Sequence, residues 1–131
     1  MKFNSLIPEL SVTDIEKSKK FYIDILGFSI SYERPDDKFA FISLGDAQIM
    51  IEQINDYWAT ASFEYPFGRG INFQIEVDDV AKIRSRLVQN DIALFRDIRE
   101  ECYEANGVQY MCKELLVQDP DGYLLRFSES L

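Results

Sequence analysis

Residues 8 to 28, "PELSVTDIEKSKKFYIDILGF", hold a strand, a capped helix and a glycine stop in one run, and residues 73 to 93, "FQIEVDDVAKIRSRLVQNDIA", echo the arrangement. In "LIPELSV", residues 6 to 12, Leu6, Pro8, Leu10 and Val12 alternate with Ile7, Glu9 and Ser11, the period of a strand with one buried side. Pro8 has no N–H to donate and belongs at a sheet edge or a bend. Asp14 stands where an N-cap is needed; Ile15, Ser18, Phe21, Tyr22, Ile25 and Leu26 then recur at helical spacing until Gly27 supplies a left-handed stop. In the echo, Phe73, Ile75 and Val77 alternate with Asn72, Gln74 and Glu76. Asp79 takes the cap position, and Val80, Ile83, Leu87 and Val88 form the apolar stripe of a helix closing near Asn90. Val12-Thr13-Asp14 and Val77-Asp78-Asp79 lie at a constant offset of 65 residues, so strand and helix are duplicated together.

Three short strands follow each helix. After the first come "FSISYER", "KFAFISL" and "AQIMIEQI", separated by the turns "PDD" and "GD". After the second come "ALFRDIR", "QYMCKELLVQ" and "YLLRFSE", with the turns "ANG" and "DPDG". The expected fold is therefore α+β: one domain, residues 1–131, built from two βαβββ modules at residues 6–53 and 71–131 around an aromatic connector at residues 54–70. The connector carries Tyr57, Trp58, Phe63, Tyr65 and Phe67; it either packs over the domain's own core or covers a ligand. A helix laid across one face of each sheet leaves the other face open, and two such modules side by side would curve their free faces around a shared cleft. The alternation aims Ile7, Glu9, Ser11, Asn72, Gln74 and Glu76 into it.

Bulk composition narrows the function classes. A chain of 131 residues that is 47% hydrophobic can bury a core without a metal or a disulfide. A net charge of −9 opposes a nucleic-acid partner, because such affinity comes largely from Lys and Arg neutralising phosphates. The same charge keeps a protein soluble and attracts cations. The sequence has no apolar run of signal-peptide or membrane-span length, so a cytoplasmic location without membrane partners is expected. Cys102 and Cys112 are ten residues apart and the chain has no His, so zinc is not expected and both cysteines read as reduced thiols.

The run "VTDIEKSKKFYIDILGF" resembles the opening of the vicinal oxygen chelate superfamily, the glyoxalase, bleomycin-resistance and extradiol-dioxygenase group. "FQIEVDDV" resembles its middle strand and "VQDPDGYLLRFSE" its closing strand, so the likeness spans nearly the whole chain. Metal-dependent members carry ligands, commonly His, Glu, His and Glu, on the first and last strands of each repeat. Carried onto this chain, those positions fall at Ile7, near Met50 or Glu52, at Asn72 and at Arg126. A guanidinium repels a divalent ion, and a catalytic metal commonly needs three protein ligands. An all-carboxylate set from Glu9, Glu52 and Glu76 is the remaining metal option, and Arg126 favours an ion pair instead.

The resemblance therefore implies a protein of the bleomycin-resistance type, without metal or cofactor. It would sequester a cationic or aromatic small molecule in a cleft of a homodimer, with Pro8 matching the proline that accompanies strand exchange between subunits in that family. The expected ligand-binding residues are Glu9, Phe39, Phe41, Tyr57, Trp58, Asn72, Gln74, Glu76 and Arg126, and no catalytic residue is assigned. The alternative is a glyoxalase-family lyase, isomerase or dioxygenase-like enzyme with an atypical site, drawing on Tyr110, Tyr123 and the carboxylates. A regulatory sensor built on the same fold is a third class.

Overall fold

Asp14 caps a helix as its position predicts. In a computed structural model describing residues 1–131, its carboxylate accepts from the backbone N–H groups of Glu16 and Lys17 at 3.0 and 3.3 Å. Strand β1 (Glu9–Val12) leads into that helix, α1 (Ile15–Lys19), and buries Leu10 and Val12 as the alternation requires. The helix then widens into a π-helical turn over Lys20–Ile25, where the Leu26 N–H donates to the Phe21 carbonyl at 3.0 Å. Sequence spacing alone does not reveal this widening. The turn holds Phe21, Tyr22, Ile25 and Leu26 all on the buried side, with Tyr22 meeting Phe21 and Phe28 edge-on at 5.2 and 5.4 Å. Gly27, at φ 92°, ends it.

Strands β2 (Ser29–Arg34), β3 (Phe39–Leu44) and β4 (Ala47–Gln53) complete the first unit, in the sheet order β1-β4-β3-β2. Only β1 and β4 run parallel. The side covered by α1 collects Leu10, Val12, Ala40, Ile42, Ile49 and Ile51, each at most 3% exposed.

The second unit repeats this plan. Strand β5 (Asn72–Glu76), helix α2 (Val80–Gln89) and strands β6 (Arg96–Ala105), β7 (Val108–Gln118) and β8 (Leu124–Ser130) give the order β5-β8-β7-β6, with β5 and β8 parallel. Asp79 caps α2 by accepting from the Lys82 N–H at 3.2 Å. Val80, Ile83 and Leu87 are buried, as are Ile75, Leu115, Val117, Leu125 and Phe127. The duplication extends to an irregularity: β2 carries one extra residue between Ile30 and Tyr32, and β6 one between Arg96 and Arg99. The fold is the expected pair of βαβββ modules, each an open four-stranded mixed sheet.

Several details differ from the sequence reading. Leu6 is 81% exposed and precedes the strand, which begins only at Glu9 where pairing with β4 starts. Val88, assigned to the apolar stripe, is 48% exposed, because the C-terminal turn of α2 seats Leu87 inward instead. Strand β6 does not stop at Arg99; it runs to Ala105 and forms a long hairpin with β7 through Asn106 and Gly107, both with positive φ. By internal contacts the chain divides into Met1–Phe67 and Gly68–Leu131, so the connector's aromatics belong with the first unit. Gly68, at φ +68°, lies so close to the Tyr123 ring that a Cβ there would fall 2.6 Å from a ring carbon.

Candidate functional site

Cross-strand partners point to the same face of a sheet, so the registers identify what lies opposite each helix. In the first unit Glu9 pairs with Met50, Met50 with Phe41, and Phe41 with Tyr32; one step along, Ser11 pairs with Glu52, Glu52 with Phe39, and Phe39 with Arg34. This face is largely aromatic. Tyr32 stacks on Phe41 with centroids 5.2 Å apart and planes at 17°, and Phe3 meets Phe41 edge-on at 5.4 Å. The Arg34 guanidinium lies 3.8 Å from the centroid of Phe39. Phe39 and Phe41 are themselves buried, at 3% and 1% exposure.

Above this face the connector brings Trp58 to Glu9 and Met50, and the three line a recess of about 300 Å³. Tyr57 meets Trp58 edge-on at 4.7 Å, and both rings are open to solvent. Partial burial lifts the Glu9 carboxyl above its ordinary value of 4.5; the neighbouring Glu52 charge adds to the lift and Arg34 opposes it. The recess thus offers an indole, a thioether and one carboxylate that gains from a cationic partner.

The open face of the second unit is polar. Gln74 pairs with Arg126, Arg126 with Leu116, Glu114 with Ser128, and Tyr103 with Tyr110. Glu114 is 3% exposed, an expensive place for a carboxylate unless it is partnered. Tyr103 donates its hydroxyl proton to Glu114 Oε1 at 2.8 Å. Arg126 Nε stands 3.4 Å from Glu114 Oε2, an attraction between charges without hydrogen-bond alignment. Arg126 Nη2 donates to the side-chain carbonyl of Gln74, so the guanidinium is gripped from two strands. The hydrogen bond to Glu114 is the main reason the Tyr103 hydroxyl titrates above its ordinary 10.0. Beside this network is a recess of about 480 Å³ lined by Gln74, Tyr103, Gln109, Tyr110 and Arg126 among others.

The nine ligand residues expected from sequence therefore fall into two groups. Glu9, Phe39, Phe41, Tyr57 and Trp58 belong to the first unit, with Glu9 and Trp58 in one recess and the two phenylalanines buried. Asn72, Gln74, Glu76 and Arg126 belong to the open face of the second. There Asn72 is exposed opposite Leu124, and Glu76 accepts from the Ser130 hydroxyl at 3.4 Å. Met50, Tyr32, Tyr103 and Glu114 were not among them. Glu114 left a signal, the one acid in the run "CKELLV", followed by three apolar residues, but its partner lies twelve residues on and on another strand.

The registers also decide the open question about the second metal-ligand position. Glu9 is the 65-residue counterpart of Gln74, and it pairs with Met50 as Gln74 pairs with Arg126. Met50, not Glu52, is thus the counterpart of Arg126. Ile7, Met50, Asn72 and Arg126 make a poor donor set for a divalent ion, and no three His, Cys, Asp or Glu side chains gather closely enough to hold one. The residues present do not fit the metal of the family's enzymes.

No match was found among curated proteins. Among solved structures, the chain is 33% identical to a glyoxalase/bleomycin resistance protein/dioxygenase superfamily member from Vibrio splendidus 12B01, covering 95% of this chain and 97% of that one, with a TM-score of 0.44. It shares its fold with TioX from Micromonospora sp. ML1 (16% identity, 98% and 100% covered, TM-score 0.74). A virulence protein from Salmonella typhimurium is similar in the same way (21% identity, 100% of both chains covered, TM-score 0.70). The pattern of the Glyoxalase/Bleomycin resistance protein/Dioxygenase superfamily matches residues 3–127, and the chain belongs to that superfamily.

Proposed function

We propose that this protein binds and sequesters a flat cationic or aromatic small molecule, in the manner of a bleomycin-resistance protein, without a metal or cofactor. The observation that carries the reading is the recess of Glu9, Met50 and Trp58, a single carboxylate between a polarisable thioether and the only tryptophan. A ring can lie against the indole while its positive charge neutralises a carboxylate held partly out of water. Tyr57 extends the aromatic wall, and Phe39 and Phe41 support the sheet beneath it. The net charge of −9 favours the approach of cations. The reading includes a homodimer and, on the second unit, ligand contacts from Asn72, Gln74, Glu76 and Arg126.

Titration with 10-methylacridinium, a flat permanent cation, while following Trp58 emission tests the reading. Quenching that saturates in the wild type and weakens about tenfold in Glu9→Gln supports it, that being the scale of one charge-assisted contact. Saturable binding unaffected by Glu9→Gln, or no response to this cation or to bleomycin, overturns it. Stoichiometric divalent metal in the purified protein would overturn its metal-free part, and sedimentation checks the dimer.

A further inference from the structure

The recess on the second unit has a chemistry of its own, and it differs from that of Glu9 and Trp58. Arg126 can only donate, so the Gln74 side chain must turn its carbonyl toward it. That leaves the Gln74 amide N–H groups and the Arg126 Nη1 donors without a protein partner. Gln74 and Arg126 thus present donors while the Gln74 carbonyl is already engaged.

Charge points the same way. Arg126 is only partly exposed, and the almost fully buried Glu114 beside it cancels its charge. Glu76 adds negative charge on this face, while Glu101 is paired with Arg99 at 2.7 Å. An anion would meet donors but no uncompensated positive charge, and Glu76 on the same face would repel it; a neutral acceptor meets the same donors without that repulsion. Tyr103 and Tyr110, cross-strand partners that both line the recess, provide aromatic walls.

We infer that the second unit carries a subsite for a neutral, flat aromatic molecule bearing carbonyl acceptors, with Gln74 and Arg126 donating to the carbonyl oxygen and Tyr103 and Tyr110 flanking the ring. Arg126, at a position where relatives hold a metal ligand, here offers fixed N–H groups to an oxygen. Glu114 is a positioning residue: it fixes the guanidinium and removes its net charge. The inference does not depend on the cation reading of the first unit.

Acridone, neutral and flat with one ring carbonyl, tests it by its own fluorescence, with anthracene as the matched ring lacking the acceptor. Acridone should bind the full chain and anthracene at least about threefold more weakly, the lower range for a neutral hydrogen bond. Gln74→Leu, at an exposed position that leaves the Arg126–Glu114 pair intact, should weaken acridone by about three- to tenfold. The charge-neutral double variant Arg126→Met/Glu114→Leu should weaken acridone by about ten- to a hundredfold, the range for a charged donor. Glu9→Gln should leave acridone unaffected, so failure here and failure of the cation reading are separable. Equal binding of anthracene and acridone, no acridone binding to the wild type, or undiminished binding to Gln74→Leu overturns the inference.

Discussion

The two units share a plan and differ on their open faces, and two glutamates show how. Glu114 in the second unit is buried and partnered, with a tyrosine hydroxyl on one oxygen and a guanidinium beside, but not hydrogen-bonded to, the other. Glu9 in the first is only partly buried and sits near another carboxylate, and burial together with that charge lifts its carboxyl above the ordinary value. Duplication copies the backbone easily, because a strand, a cap and a helix need only periodicity and a few turn residues. Side chains on an uncovered face carry no such constraint, so one copy became aromatic with Glu9 and Glu52 among its rings and the other a polar network.

The contrast can be broken at Glu114 first, where the largest effect is expected. Glu114→Ala strands Arg126 without its counter-charge and should cost about 3 kcal/mol, the low end for a broken buried pair because the contact is not hydrogen-bond aligned. Urea unfolding measures it, and a loss indistinguishable from zero would mean the network contributes nothing to the fold. The double variant Arg126→Met/Glu114→Leu should recover most of that loss, since matched apolar groups replace a buried pair at little cost.

The helix caps offer a smaller comparison. Asp14 accepts two backbone N–H bonds and Asp79 one, so Asp14→Ala and Asp79→Ala should each cost about 1 kcal/mol, with the first loss the larger. Equal losses would show that the second bond at Asp14 adds nothing.

Glu9→Gln should move stability least, and upward. A carboxyl raised in the folded state binds its proton more tightly there than in the unfolded chain, so stability falls as pH rises from the unfolded value of about 4.5 through the folded one. The glutamine variant should lack that fall and match or exceed the wild type at neutral pH in thermal melts. Ligand binding should run the opposite way. A cation favours ionised Glu9, so wild-type affinity for 10-methylacridinium should drop as pH falls through a midpoint above 4.5, while Glu9→Gln stays flat.

The backbone plan was legible because its signals are local. Asp14 and Asp79 mark two helix starts, Gly27 marks a stop, and Leu10, Val12 and Ile75 alternate as buried strand residues must. What escaped depends on neighbours distant in sequence. "EECYEA" in β6 has no apolar alternation and is a strand only because it pairs with β7 across Asn106-Gly107. Leu6 looks like part of a strand and is exposed because pairing with β4 begins at Glu9. The site divides in the same way. Glu9, Trp58, Gln74 and Arg126 stood out as polar or aromatic residues on predicted open faces or in the connector, whereas Glu114, Tyr103 and Tyr32 acquire their roles only through cross-strand partners.

By itself the sequence determined the duplicated βαβββ plan, the capped helices and the superfamily, because periodicity, capping and turn chemistry act over a few residues. Only the tertiary structure decided that Met50 rather than Glu52 is the counterpart of Arg126, that Glu114 neutralises that arginine, and that Trp58 meets Glu9. Each of those depends on strand register or chain return, and a one-residue slip in register would turn every side chain of the strand to the opposite face.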